Sequence, residues 1–392
     1  MSAPTTPPSA SGAKSAAQEC SHDRIAELAR DLGATIDNAV TEIYSLNGRS
    51  RMLSFNAQIE AARSGEAGST FQVVALGMRE LAESIGGVAD AMKDNARSTR
   101  AEMEEVSKLL ASRVRGTRLS DLALTNIDLI DRNLYERSCD CRWWATDSSL
   151  VTALAEKSDA AAKYASKRMG VILNAYTVYY DLVLADMSGR IIANGRPEKY
   201  HSQGTTHATA DWFRTALATK SGDEFGFQSV HTSSLVGNER ALVYSAGVRR
   251  DGESRGELLG VLGIVFNWDA LAQTIVHNTP LSADETARTR VCIIDSQRLV
   301  LADSHDRALQ DKLDFPELAR LLTTNKHYAP AEVNNRPCIV AHAKSQGFET
   351  YATGWHSVIV QELRAGTRTG ASTTRSTQDG KSVASAVKTT AV

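Results

Sequence analysis

The sequence SFNAQIEAARSGEAGSTFQVVA, from Ser54 to Ala75, decides the fold. Its two halves consist of good helix formers with apolar residues at helical spacing, and Gly65 and Gly68 separate them. Glycine adopts backbone conformations that other residues avoid, so the chain can reverse its direction at this point. We therefore predict two antiparallel helices that meet at a tip formed by residues 65–66.

Apolar residues on both sides of the tip follow a helical period. After the tip they alternate spacings of three and four, as a coiled coil requires, at Phe71, Val74, Met78, Leu81, Ile85, Val88 and Met92. Before the tip a less regular stripe comprises Ile25, Leu28, Leu32, Ile36, Val40, Ile43 and Leu46. Pairing residues whose numbers sum to about 130 or 131 sets one stripe against the other. Because two helices bury little apolar surface, we expect a homodimer that forms a four-helix bundle.

The sequence after the hairpin stays helical to about residue 176 and then changes its texture. Within the helical part, RWWATDSS interrupts the pattern, and Asp147 or Ser148 is a good N-cap for a new helix. Beyond Tyr176, YYDLVLAD and RIIAN flank the turn sequence MSG, and ALVYSAGV and LLGVLGIVF flank RRDGESRGE. Both patterns predict β-hairpins.

A short repeat indicates that the sheet region is duplicated. Leu184–Gly195, LADMSGRIIANG, aligns without gaps with Ile293–Ser304, IIDSQRLVLADS. We therefore predict an α+β fold with a helical hairpin followed by connecting helices and two small sheet modules. The predicted divisions are a hairpin over 20–112, connecting helices over 113–176, a first module over 177–285 and a second over 286–363, between tails at 1–19 and 364–392 whose composition predicts disorder.

Composition narrows the classes of function. The 44 basic and 46 acidic residues nearly cancel, so no overall field favours nucleic acid. The longest apolar run, LLGVLGIVF, has about half the length of a bilayer-spanning helix, and the N-terminus lacks the apolar core of a secretory signal. We expect a cytoplasmic protein without direct membrane insertion. The five scattered cysteines indicate reduced thiols, and we find no enzyme motif, metal-ligand spacing or cofactor motif.

The tip sequence resembles the signalling tip of methyl-accepting chemotaxis proteins. The strings NAQIEAARSGE, FQVVA and LAE stand where that family has NAAIEAARAGE, GFAVVA and VRxLAE. The resemblance implies contacts between receptor dimers, and contacts with a CheA-like histidine kinase and a CheW-like coupling protein. The matching positions are Met52, Phe55, Glu60, Arg63 and Glu66 for the inter-dimer contacts and Asn56, Ile59 and Val73 for the kinase and coupling protein.

The sequence departs from the family pattern at three places. Gly48 stands where the family has an aromatic residue, Arg49-Ser50-Arg51 replaces the usual Gln-Thr-Asn, and Thr70 replaces a glycine. Trimers of dimers therefore do not follow from the resemblance. No pair of Glu or Gln has the spacing of a methylation site, so adaptation by methylation is not implied either.

The region from Arg118 to about Glu362 resembles the double Cache sensor domain, a pair of PAS-like modules. In that family a small-molecule ligand usually binds the first module beside a Trp-aromatic pair, here Trp212 and Phe213. Members that bind amino acids have an arginine just upstream and an aspartate on a late strand, whereas residues 208–211 contain no arginine and Val265 occupies the strand position. The predicted ligand-binding residues are Trp212, Phe213, His231, Arg240 and Tyr244, with Tyr180 as a further candidate.

A purely structural role for these residues is the alternative, in which Trp212 belongs to the core, His231 to a loop and Arg240 to the surface. The resemblances together imply a cytoplasmic chemoreceptor-like signal transducer that is not an enzyme. Its hairpin precedes the sensor, which reverses the usual order of the family, and a helix shift would carry the signal to the kinase. The alternative is an interaction scaffold that docks into chemoreceptor arrays but senses nothing.

Overall fold

A computed structural model describes residues 10–349 and 351–363 of the chain. Its first part is a helical hairpin in which α1, Ala10–Arg63, and α2, Ser69–Trp144, are joined by one 3₁₀ turn, Gly65–Gly68. Gly65 has φ +61°, in the left-handed region that glycine adopts without strain. At 1.5 Å per residue α1 is about 80 Å long and α2 about 115 Å. The predicted reversal at the tip is confirmed.

The two arms contact each other through small residues at intervals of one heptad. The buried positions are Gly33, Val40, Asn47, Ser54 and Ala61 on α1, Gly68 at the end of the 3₁₀ turn, and Ala75, Ala82 and Ala89 on α2. The buried hydroxyl of Ser54 donates a 2.6 Å hydrogen bond to the carbonyl oxygen of Ala75, which fixes the register at pairs that sum to 129. At the tip the approach is so close that a Cβ on Gly68 would lie 2.1 Å from the carbonyl oxygen of Ala61. We name this contact the small-residue seam.

The prediction that the large apolar stripes face each other is therefore wrong. Phe71 is 70% exposed and Leu81 is 61% exposed, and Leu46, Met52 and Val88 also point away from the seam. Small side chains allow the two backbones to approach closely, so the large side chains are left on the outside of the chain. Among the stripe residues whose burial the structure describes, from Leu28 onward, Val40 alone lies fully in the seam.

Two shorter helices follow α2. The carboxylate of Asp147 accepts a hydrogen bond from the Ser149 backbone N–H and caps α3, Ser148–Glu156. The hydroxyl of Ser158 caps α4, Asp159–Ala175, in the same way. The predicted helix start at Asp147 is confirmed.

The first sheet module has five antiparallel strands in the order β2-β1-β5-β4-β3. The strands are β1, Tyr179–Asp186; β2, Ile191–Asn194; β3, Gly226–Ser233; β4, Glu239–Arg249; and β5, Leu258–Asn267. A short helix, α5, Asp211–Leu217, lies between β2 and β3 and packs on one face of the sheet. The other face packs against α2, α3 and α4.

The second sheet module repeats this topology in the order β7-β6-β10-β9-β8. Its strands are β6, Thr289–Ile294; β7, Val300–Asp303; β8, Lys326–Val333; β9, Arg336–Lys344; and β10, His356–Glu362. The short helices α6, Thr274–His277, and α7, Ala283–Thr286, precede it, and α8, Leu318–Leu321, lies before β8.

The repeat is confirmed down to the register of its strands. Leu184 pairs with Ala193 in the first sheet, and Ile293 pairs with Ala302 at the equivalent place in the second. Each pairing shifts register one residue later, and each turn is closed by an aspartate that accepts two backbone N–H bonds. Local turn chemistry therefore sets the same hairpin in both modules.

The second half of α2 forms a stalk that contacts both sheets. Gly116 lies against Tyr328 of β8, and Arg118 makes an ion pair with Glu285 at 2.5 Å. Farther along, Asp140 accepts a hydrogen bond from the hydroxyl of Tyr179 in β1. One helix thus joins the hairpin to both modules. Among the described residues, none of the helices has the length and apolar character needed to cross a bilayer.

Candidate functional site

The hairpin tip presents its predicted contact residues to solvent. Met52, Phe55, Asn56, Ile59, Glu60, Arg63, Glu66 and Val73 are all exposed. Glu60 and Arg63 form an ion pair at 3.7 Å with both side chains largely in solvent, which contributes a few tenths of a kcal/mol at most. The charges therefore contribute little to the fold and stay available for a partner.

Apolar side chains surround these charges. Phe55 and Ile59 lie one turn apart on α1, and Phe71 and Val73 open the first turn of α2. Large exposed apolar side chains next to charges are typical of protein interaction surfaces. The tip is therefore a candidate interaction surface whose rigidity comes from the small-residue seam behind it.

In the first module, the face covered by α5 is a candidate ligand site. Trp212 and Phe213 are buried on this face with their ring centroids 5.7 Å apart, and the hydroxyl of Ser245 donates a 2.6 Å bond to the Trp212 carbonyl oxygen. A Cβ on Gly263 would lie 3.1 Å from the indole, so glycine lets Trp212 lie against β5. The ring of His207, half-buried, lies 6.3 Å from that of Trp212, and burial lowers the pKa of this histidine.

The predicted ligand-binding residues do not all share that face. His231 is the register partner of Ala241 and so lies on the Trp212 side, where its Nδ1 is 2.8 Å from the Ser229 carbonyl oxygen. Tyr244 lies on the opposite face, and its hydroxyl is hydrogen-bonded to that of Tyr351 in the second module. The prediction that Tyr244 joins Trp212 in one pocket is therefore wrong. Side chains alternate between the two faces along β4, so Tyr244 points away from the face on which Ala241 and Trp212 lie.

Arg240 also differs from its predicted position. It precedes Ala241 in the strand, so its side chain leaves on the Tyr244 face. There its guanidinium makes an ion pair with Asp269 at 2.9 Å, and this hydrogen-bonded contact raises the pKa of Arg240. A cation that is already paired has little capacity left for an anionic ligand. Tyr180 packs on the Trp212 face, with its ring 6.4 Å from that of Tyr200, and the Arg240–Asp269 pair lies within electrostatic range of it.

A buried carboxylate supports the loop over this face. Asp181 of β1 accepts hydrogen bonds from Asn194 Nδ2 at 2.7 Å and from the backbone N–H of Arg196 at 2.9 Å. Burial raises the pKa of Asp181 to about 6, although these bonds act in the other direction. The Arg196 guanidinium donates its hydrogen bonds to backbone oxygens of β1 and α4, so it does not neutralise the Asp181 carboxylate.

Two cavities lie away from the Trp212 face. An open groove of about 980 Å³ lies between α4 and the β1–β2 turn and is lined by Lys163, Asp186 and Arg190 among others. A second cavity, of about 310 Å³, lies where α2 ends and is lined by Arg142, Trp143 and Arg249. Neither includes a predicted ligand-binding residue.

Sequence reasoning missed two buried polar groups. His342 of β9 and His356 of β10 face each other in the second module, and Asp131 of α2 is buried against the β9–β10 loop. His342 was marked as a polar residue within an apolar run, whereas Asp131 stands among other polar residues, and the partners of both are too distant in sequence to be inferred from spacing.

Fold and site together define a class of protein, a helical hairpin whose second helix continues along two sheet modules of the same topology. Residues 79–367, most of the chain, match the Cache domain family, and the chain therefore belongs to that family. Residues 9–126 match the methyl-accepting chemotaxis protein (MCP) signalling domain. The two matches overlap along α2.

Individual relatives agree with this assignment. The chain is 32% identical over 142 residues to the probable chemoreceptor y4sI of Sinorhizobium fredii (strain NBRC 101917 / NGR234). This alignment covers 33% of this chain and 19% of that protein. It is 37% identical over 75 residues to the putative sensory transducer protein YvaQ of Bacillus subtilis (strain 168), covering 19% of this chain and 13% of that protein. The chain thus spans less than a fifth of the length of these curated relatives.

A solved structure shares the fold of the sensor part. The sensor domain of the V. cholerae histidine kinase DctB superimposes with a TM-score of 0.50 at 13% sequence identity, over 64% of this chain and 98% of that one. At this identity the similarity concerns the fold alone.

Proposed function

We propose that the chain is a chemoreceptor-like signal transducer whose Cache modules bind a small molecule and whose tip regulates a CheA-like kinase through a CheW-like coupling protein. The observation that supports this most directly is the continuity of α2. The helix begins at the tip and ends against both sheets, so a small displacement at the modules has a stiff path to the tip. A cytoplasmic location and the absence of enzyme activity stay predictions from the sequence.

We also propose that the large apolar stripes of the hairpin pack against a second copy of the chain. Leu46, Leu81 and Val88 are exposed in the single chain although they recur at coiled-coil spacing. Covering such stripes in water is favourable, and two hairpins side by side form a four-helix bundle. The small-residue seam would then lie within each chain and the large side chains between chains.

The kinase interaction can be tested with a matched pair of double variants. Glu60→Ala with Arg63→Ala removes the exposed charges at the tip, whereas Glu105→Ala with Lys108→Ala removes an exposed pair with the same spacing roughly 60 Å along α2. Autophosphorylation of the kinase is measured with the coupling protein and the full chain. We expect the tip variant to lose regulation about tenfold, a change of about 1.4 kcal/mol in binding, and the control to behave as wild type. Equal behaviour of both variants, or no binding by wild type, would overturn the proposal.

The sensing role has its own test. The full chain is screened by thermal shift against amino acids, organic acids, purines and polyamines, since a ligand that binds the folded state raises its melting temperature. We propose that the ligand lies on the Trp212 face, so Tyr180→Phe should weaken the shift, whereas Tyr164→Phe, exposed on α4, should not. If no compound stabilises the chain while the tip still binds the kinase, the scaffold alternative replaces the sensor.

A further inference from the structure

The loop between β9 and β10 contacts three parts of the molecule. Its described residues are 345–349 and 351–355, which we name the relay loop. It belongs to the second sheet, one side of it lies on the stalk helix α2, and the other side lies on the first sheet.

The contact with α2 is centred on a buried carboxylate. Asp131 is 1% exposed, and it accepts a 2.9 Å bond from the Ser345 hydroxyl and a 3.1 Å bond from the Gly347 backbone N–H. Burial raises the pKa of Asp131, and no cation among the described residues forms an ion pair with it. A buried carboxylate depends strongly on its hydrogen-bond donors, and here the relay loop supplies them.

Other contacts fix the same side of the loop. The rings of Tyr135 on α2 and Phe348 meet edge to face with centroids 5.3 Å apart, and the guanidinium of Arg132 lies 4.8 Å above the Phe348 ring. Gly347 has φ +80°, and a Cβ there would lie 2.6 Å from the Tyr351 carbonyl oxygen. The loop therefore has one tight conformation that fits the helix.

The contact with the first sheet is equally specific. The hydroxyl of Tyr351 is hydrogen-bonded to that of Tyr244 in β4, and both side chains are buried. Trp355, at the end of the loop, packs edge to face on Trp268 after β5, with ring centroids 5.4 Å apart. A movement of β4 therefore reaches the relay loop through the buried Tyr244–Tyr351 hydrogen bond, and a movement of the segment after β5 reaches it through the tryptophan pair.

We propose that the relay loop is a mechanical link through which the position of β4 at Tyr244 controls the packing of α2 at Asp131. More direct contacts exist farther along α2, where Asp140 accepts a hydrogen bond from Tyr179 of β1 and the Cys141 thiol lies 3.9 Å from the Ser245 carbonyl oxygen of β4. The contact from β4 itself is long and weak, whereas the loop contributes several buried bonds to the same helix. The second module would thus transmit the state of the first module. Only the significance of this link for signalling depends on the proposed function.

Hydrogen exchange on the full chain, without ligand or kinase, tests the link. Tyr244→Phe removes one hydroxyl from the first module, and a buried hydrogen bond corresponds to about a threefold to tenfold change in opening. We expect exchange of α2 amides at 128–135 to accelerate by that factor relative to amides of β5. Tyr200→Phe, buried on the opposite face of the same sheet, is the control and should leave α2 unchanged.

The same substitution in an Asp131→Asn background separates the loop from direct contacts. If the loop is the link, Tyr244→Phe should no longer accelerate exchange at 128–135 once Asp131 is replaced. Equal acceleration in both backgrounds, or acceleration of β5 and α2 alike, would overturn the proposal. Should Asp131→Asn fail to fold, Ser345→Ala removes one donor and serves the same purpose. Because no kinase is present, failure of the proposed function leaves this result unaffected.

Discussion

The Nδ1 atoms of His342 and His356 lie 3.2 Å apart between neighbouring strands of the second sheet, with both side chains buried. At this distance one imidazole donates and the other accepts, so at least the accepting ring is neutral. The Oγ1 of Thr324 lies 3.0 Å from His342 Nε2, so the second ring nitrogen of His342 also has a hydrogen-bond partner.

The surroundings of the pair oppose its protonation. The pKa of each histidine is lowered to about 4, mainly by burial, and for His342 the neighbouring His356 is the second cause. His327 of β8 is the register partner of His342, and Lys344, whose charge disfavours protonation, is the partner of His356. Among the described residues no carboxylate is paired with either ring, so an added proton in this cluster is not neutralised.

We predict that the second module loses stability as the pH falls. The unfolded histidines bind protons below about 6.5 and the folded ones only near 4, so the free energy of unfolding falls across this interval. The loss is about 3 kcal/mol for each histidine at most. Urea unfolding followed by tryptophan fluorescence between pH 7.5 and 4 measures it, since Trp355 is adjacent to His356.

A single variant isolates the effect. His356→Asn keeps a polar group near the Nδ1 position and removes one titrating ring, so about half of the pH dependence should disappear. His201→Gln, exposed in the first module, is the control and should retain the full slope. An unchanged slope in His356→Asn would show that other groups dominate.

Asp181 is expected to act in the opposite direction. Its folded pKa of about 6 lies above the value near 4 of an unfolded aspartate, so the folded state holds the proton more tightly and loses stability as pH rises through this interval. Asp181→Asn should therefore gain roughly 2 to 3 kcal/mol relative to wild type between pH 4 and pH 7.5. The exposed turn variant Asp251→Asn should show a constant difference, and a constant difference for Asp181→Asn would contradict the prediction.

Local chemistry explains why much of the fold could be predicted. Gly65 marks the reversal because few other residues adopt its backbone conformation, and Asp147 marks a helix start because its carboxylate caps the first turn. The aspartates of the two repeated turns bind their own backbone within four residues. Each of these signals is complete within a few positions of the sequence.

The predictions from the sequence were wrong where packing between residues distant in the sequence determines the structure. Two stripes of the hairpin have heptad spacing, one that contains Leu81 and one that contains Ala82. Hydrophobicity favours the Leu81 stripe as the contact between the arms, whereas the close approach of the helices requires the Ala82 stripe. Alternation along β4 separates Val243 from Tyr244, but both faces of that sheet are covered, so the sequence cannot indicate which face borders a ligand. Asp131 and the histidine pair depend on partners that only the fold brings near.

The small-residue seam can be tested by two adjacent substitutions. Ala82→Leu places a large side chain into the seam and should destabilise the hairpin by about 1 to 3 kcal/mol at every protein concentration. Leu81→Ala acts on the outward stripe, so it should mainly weaken dimerisation and make the melting temperature more dependent on concentration. Circular dichroism melts at two concentrations, with sedimentation, separate the two effects. The reverse assignment of effects would restore the original pairing of the large stripes.

Gly116 lies where α2 crosses β8, and the crossing leaves no room for a side chain at this position. A Cβ at this position would lie 2.1 Å from Cδ2 of Tyr328, so Gly116→Ala should cost about 1 to 3 kcal/mol even though alanine favours a helix. Gly87→Ala, where no atom lies within 4 Å of the added Cβ, is the matched control on the same helix and should stabilise it by up to about 1 kcal/mol. Tyr328→Ala should rescue Gly116→Ala, and a rescue that fails would place the clash elsewhere. Urea unfolding of the four chains measures the coupling as a double-mutant cycle.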